Sequence, residues 1–146
     1  MLYSKPCEYA IRALANLARR PVTSLVSVTV VADAEDIALP FLARIFHQLA
    51  RSGVLVSKKG PGGGFQLARP GREIMLREIV EAVDGLEDFE RCAVGLARCS
   101  DQVPCPLHDT YKELRQRMLG YLGRVSLAEM GAAVERKRIL LASGKR

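Results

Sequence analysis

The chain has 146 residues, 49% of them apolar but only 5% aromatic, with no Trp, so any core must be built from Leu, Val, Ile and Ala. Its formal net charge of +6 and pI of 9.4 suit nucleic acid or an anionic surface as partner. No apolar run approaches membrane-spanning length, and Met1 to Glu8 lack the apolar segment of a signal peptide; secretion, lipid anchoring and membrane residence are disfavoured, and the cytoplasm is expected.

Ser4 is placed to cap a first helix, with Pro6 in its opening turn. Tyr9, Ala10, Leu14, Leu17 and Ala18 recur at helical spacing, and Pro21 stops the helix after Arg19 and Arg20. Residues 22–26 read as an extended connection. A short helix is expected from Val28 to Ala34, capped by Ser27, with Asp36 beginning the next turn. A stronger helix runs from about Leu39 to Ser52, turning Leu42, Ile45, Phe46 and Leu49 inward and Arg44, Gln48 and Arg51 elsewhere, and Gly53 closes it. Val54 to Lys58 reads as a strand, Gly60 to Gly64 as a turn, and Phe65 to Ala68 as the return strand. A further helix spans roughly Leu76 to Asp84, with Ile79, Val80 and Val83 inward and Gly85 at its end.

Residues 86–105 show no period, which is uncommon inside a compact domain unless the segment binds something. After Pro106 a long helix is expected. Leu107, Tyr111, Leu114, Met118, Tyr121 or Leu122, and Val125 alternate in steps of three and four, the pattern of a coiled-coil seam. Ser126 to Glu129 match a capping box that opens a last helix, through about Leu141. The pattern divides into a winged helix-turn-helix domain over 1–85, a cysteine-rich loop over 86–106, a dimerisation helix and C-terminal helix over 107–142, and a disordered tail over 143–146. The class is mainly α with a small β-wing.

Two constellations carry chemistry. Residues 27–68 form two helices and a hairpin, the pattern of a winged helix-turn-helix whose second helix enters the major groove of double-stranded DNA. Candidate contacts there are Ala38, Pro40, Ala43, Arg44 and Arg51. On the wing they are Lys58 and Lys59, which supply counterion-releasing charge, and Gly60, Gly62 and Gly63, which let backbone approach phosphates. The glycine run fits neither a dinucleotide fingerprint nor a P-loop.

The second constellation is Cys92, Cys99, Cys105 and His108, spaced C-x6-C-x5-C-x2-H. In a reducing compartment such a cluster reads as a metal or redox site. Structural zinc prefers tighter knuckles, so the spacing leans toward an iron–sulfur cluster, with zinc or a thiol switch as alternatives. Arg91 and Arg98 flank two of the cysteines and favour thiolate. Glu8 from a partner subunit's first helix is the rival fourth ligand, and Cys7 reads as a free thiol. Dimerisation through the long helix would set two recognition helices about one DNA turn apart, matching a pseudo-palindromic operator. A third possibility, an iron–sulfur carrier or small redox protein without DNA affinity, lacks support from any paired acid and base.

The chain resembles the Rrf-two family of bacterial winged-helix regulators. The resemblance lies in Glu8-Tyr9-Ala10, Ile37-Ala38-Leu39-Pro40-Phe41-Leu42, Lys59-Gly60-Pro61-Gly62-Gly63-Gly64-Phe65, Arg91-Cys92, Cys99, Cys105 and Leu127-Ala128-Glu129. It implies a homodimeric transcription regulator, a repressor in several members, and not an enzyme. In cluster-binding members three cysteines hold a [2Fe-2S] or [4Fe-4S] centre, and the [2Fe-2S] form is the expectation here. Some members add a His three residues after the last Cys, which His108 matches. Others add an acidic residue from the partner's first helix, which Glu8 matches. The first Cys–Cys interval is one residue longer than in the His-ligated members, and Ala43 replaces an acidic recognition-helix residue.

Overall fold

The computed structural model describes residues 3–96 and 99–144. Arg98 therefore lies outside the described residues, as do Lys145 and Arg146 of the tail.

Helix α1 (Lys5–Ala18) is central. The Ser4 hydroxyl accepts from the Cys7 N–H at 3.2 Å, and Pro6 stands in the first turn, where its missing N–H costs nothing. Cys7, Ala10, Ile11, Ala13, Leu14, Ala15 and Leu17 are all buried. The small alanines among them let several helices approach. Helices α2 (Val28–Glu35), α3 (Leu39–Arg51), α4 (Leu76–Val83) and α6 (Leu127–Ala142) all pack on α1. Gly131 of α6 lies so close that a Cβ there would stand 3.1 Å from the Ala15 carbonyl oxygen.

The Ser27 hydroxyl caps α2 through the Thr29 N–H at 3.2 Å. Asp36 closes this helix in the left-handed region, φ 53, rather than opening the next turn. Its short polar side chain tolerates that conformation better than most. Helix α3 buries Leu42, Ile45, Phe46 and Leu49, the spacing its sequence dictates. Gln48 is tied across to α4: its amide donates to the Ala82 and Val83 carbonyls at 2.9 and 3.2 Å, satisfying acceptors that the helix end leaves open. Val83, expected inward, is only half-buried, while Leu76, Ile79 and Val80 carry the α4 contact.

Strands β1 (Leu55–Lys58) and β2 (Gly64–Leu67) pair antiparallel, with Leu55 opposite Leu67 and Lys58 opposite Gly64. Val26 adds a bridge, exchanging two 2.9 Å backbone bonds with Phe65. The Phe65 ring meets Phe46 edge-on at 5.1 Å, pinning the wing to α3. The glycine run serves two purposes. A Cβ on Gly63 would lie 2.2 Å from the Lys58 carbonyl oxygen, so that glycine is demanded by the hairpin itself. Gly60 and Gly62 have positive φ but open space around them.

Beyond a 3-10 turn at Gly71–Glu73, residues 74–76 meet residues 125–127 in a short bridge: Leu76 N–H donates to the Val125 carbonyl at 3.0 Å, and Leu127 N–H to the Ile74 carbonyl at 2.8 Å. Between these points the chain runs through α4, a 3-10 turn at Glu87–Phe89, the cysteine loop, and helix α5 (His108–Leu122). Only His108 and Leu122 of α5 are buried. The expected seam therefore resolves. Leu122 and the half-buried Val125 pack against the core of their own chain, and Val125 lies past the helix end. Leu107, Leu114 and Tyr121, each seven residues from the last, stand 54%, 50% and 49% exposed. The box of Ser126 and Glu129 opens α6 as expected, with mutual bonds of 2.8 and 3.3 Å. Helix α6 then returns along α1, where Arg19 pairs with Glu135 at 2.6 Å. No helix among the described residues is long and apolar enough to cross a membrane.

Candidate nucleic-acid interface and cysteine loop

On the first surface, Pro40, Arg44 and Arg51 are exposed on α3, and Ala38 is exposed at its N-cap. Ala43 is half-buried. The Arg44 guanidinium lies over the Phe41 ring, 5.9 Å from its centre, while the residue as a whole stays exposed. Lys58, Lys59, Gly60 and Gly62 are exposed on the wing, and Gly63 is half-buried at its base. Arg51 and Lys59 share one groove between the end of α3 and β1, together with His47, Val56 and Ser57. His47 was not among the expected contacts. It lies three residues from Arg44 and four from Arg51, hence on their face, and its ring meets Phe65 at 5.5 Å. One signal was available in the sequence: no Asp or Glu occurs from Ile37 to Arg72. The charged side chains of this stretch are therefore all basic, which favours phosphate contact.

The cysteine loop brings two of its four expected ligands together. Cys99 Sγ lies 3.1 Å from His108 Nδ1. The His108 ring is buried at the first turn of α5, and its N–H backbone group donates to the Cys105 carbonyl at 2.9 Å. Cys92 sits in its own tight turn, where its carbonyl accepts from Gly95 N–H at 2.9 Å. Cys92 and Cys105 do not join Cys99 and His108 in a group of three or more ligating side chains among the described residues. All four cysteines are free thiols, and those of the loop are half-buried. The donor set, three thiols and an imidazole on a loop with no period of its own, is chemically suited to a soft metal centre. Glu8 pairs instead with Lys5 at 2.8 Å. Burial, aided by Asp84, pushes the Cys7 thiol up to about 12, which makes it a poor ligand and a poor nucleophile.

Two further residues shape this site and were not expected from sequence. The Arg115 guanidinium donates to the Phe89 carbonyl at 2.8 Å, bracing the loop's start against α5. Asp101 Oδ1 accepts from His108 Nε2 at 2.8 Å and from Lys112 at 2.7 Å. Lys112, then His108, hold the Asp101 carboxyl down to about 2. These contacts thus persist from neutral pH down through the carboxylate range and fail only as pH falls through that value. An open cleft of about 470 Å³ lies between the loop and α5, with Cys99, Lys112 and Arg115 on its walls.

Residues 3–133 match the Rrf2 family, described as iron-dependent transcriptional regulators. The transcriptional regulator IscR of Klebsiella pneumoniae (strain 342) is 30% identical over 138 residues, covering 94% of this chain and 82% of that protein. Among solved structures, the global cysteine regulator CymR of B. subtilis superposes with a TM-score of 0.76 at 16% identity, covering 89% of this chain and 95% of that one. T. potens IscR gives a TM-score of 0.73 at 21% identity, covering 92% and 88%. Those structures establish the winged-helix fold. The chain belongs to the Rrf2 family and is a DNA-binding transcription regulator rather than an enzyme.

Proposed function

We propose that this regulator acts in the cytoplasm as a homodimer on a pseudo-palindromic operator, and that an iron–sulfur cluster held by Cys92, Cys99, Cys105 and His108 sets its DNA affinity. The observation that carries the reading is the Cys99–His108 pair at the root of α5, the helix that joins the loop to the rest of the molecule. The similarity to IscR and the family's iron dependence support it. When bound, the cluster would supply a centre responsive to iron supply, oxygen or nitric oxide. His108 is favoured over Glu8 as fourth ligand because its ring already faces a cysteine. A [2Fe-2S] centre is favoured over [4Fe-4S].

The residues of the chain do the rest. Cys92, Cys99 and Cys105, once gathered at one centre, would fix residues 86–106 against α5. Through α5 and α6 that ordering reaches α1 and the reading head. The exposed Leu107, Leu114 and Tyr121, with Tyr111 and Met118 between them, form the face on which a second copy packs. A coupling of about 1–3 kcal/mol, or roughly 5–150-fold in affinity, is enough for a switch.

Protein purified without air is expected to be coloured, to contain iron and acid-labile sulfide, and to differ from its cluster-free form in a gel-shift assay by a factor in that range. Colourless protein carrying zinc would instead support the zinc reading, which the same Cys99–His108 pair also suits. Absence of DNA affinity in both forms would refute both readings. Double replacement of Lys58 and Lys59 by Ala is expected to weaken binding to all sequences alike. The slope of log affinity against log salt should flatten by about 2. Unchanged salt dependence would move the phosphate contacts off the wing.

A further inference from the structure

Both ring nitrogens of His108 are engaged. Nδ1 faces Cys99 Sγ at 3.1 Å, and Nε2 faces Asp101 Oδ1 at 2.8 Å. An ionised carboxylate only accepts, so Nε2 carries the hydrogen. In the neutral ring this leaves the lone pair on Nδ1, pointing at the thiol. Lys112 holds the same carboxylate oxygen at 2.7 Å. It lies four residues after His108 and so on the same face of α5. The four side chains therefore run in sequence, Lys112 to Asp101 to His108 to Cys99, from the helix into the loop.

Asp101 belongs to the loop, two residues beyond Cys99, while both groups it touches belong to α5. The contact forms only when the loop is docked on that helix. A histidine without such a partner has no fixed choice of nitrogen, and ligating histidines are commonly oriented by a carboxylate on the far nitrogen. We propose that Asp101 is a positioning residue: it fixes His108 as the Nε2–H tautomer, so that Nδ1 is the nitrogen offered, beside Cys99, to the metal centre. The role at the metal rests on the reading of His108 as a ligand, whereas the tautomer is a property of the chain itself.

The test has two arms. The first uses cluster-free protein with isotope-labelled histidine. The sequence has two histidines, His47 and His108, and His108→Ala assigns their ring signals. Nitrogen NMR at a pH where the ring is neutral should show His108 as the Nε2–H form. Asp101→Ala should give a mixture, and Asp101→Glu, which keeps an acceptor-only carboxylate, should restore the single form. A wild-type His108 in the Nδ1–H form, or a spectrum indifferent to Asp101→Ala, overturns the proposal. The second arm uses protein reconstituted with iron and sulfide without air. Asp101→Ala should surrender its cluster to a chelator about 10–100-fold more readily than wild type, with Asp101→Glu between them. Equal retention in a coloured wild type overturns the positioning role and leaves the cluster reading intact. A wild type that takes up no cluster overturns the cluster reading and the role at the metal, while the first arm still decides the tautomer. The Asp101 side chain is 73% exposed, so its removal leaves the fold standing.

Discussion

Alanine at Cys99 is expected to leave the protein colourless after anaerobic reconstitution, and to erase the difference in DNA affinity between the loaded and cluster-free preparations. Cys99 is the cysteine that the fold already presents to His108, at 3.1 Å. Its loss removes a thiolate and strips Nδ1 of its neighbour at the same time. Cys92→Ala and Cys105→Ala should do the same, because a cluster needs all of its thiolates. Cys7→Ala is the matched control. That thiol is fully buried and raised to about 12, so the variant should keep its colour. Visible absorption in all three loop variants would end the assignment of the loop as the metal site.

Alanine at Glu35 is expected to cost about 3 kcal/mol of folding stability. It should also lower DNA affinity without touching any group on the basic face. The Glu35 side chain is 1% exposed and is held from three directions. Asn16 donates to Oε1 at 3.0 Å, Arg12 approaches Oε2 at 3.5 Å, and Arg138 pairs with Oε2 as well. Arg12 also donates to the Glu35 backbone carbonyl. Truncation leaves a void and two guanidinium groups without their anion. Those groups are 32% and 38% exposed and regain water, which keeps the cost at the lower end for a broken buried pair. The midpoint of thermal unfolding should fall by roughly 10 °C. Because Glu35 joins α2 to α1 and α6, its loss also frees the helix that supports α3. Urea unfolding with an unchanged slope checks the stability, and a gel shift checks the affinity. A cost under about 1 kcal/mol would mean that packing alone orients α2.

The helices were legible because their signals are local. Ser4, Ser27 and Ser126 cap the helices their neighbours pattern, and Leu42, Ile45, Phe46 and Leu49 announce the buried face of α3. The wing was legible from its glycines, although Gly63 is required by the hairpin as much as by any phosphate. Contacts between distant residues were not legible. Glu35 ends a short helix, one residue past the Ala34 end expected for it, and nothing in the sequence singles it out; its partners stand at positions 12, 16 and 138, and no periodicity links them. Asp101 lies in a segment without period, so nothing marked it as the partner of His108. The seam of α5 was readable as apolar, but only the packing of Leu122 decides which of its residues remain outside.

The short bridge between residues 74–76 and 125–127 gives α5 a fulcrum. Leu122 is anchored next to it, whereas His108 stands at the opposite end of a 15-residue rod about 22 Å long. A swing of about 4 Å at the far tip corresponds to only about 10° at the hinge. A lever of this shape would be geared down: travel where sulfur and imidazole meet would become a small rotation at the bridge.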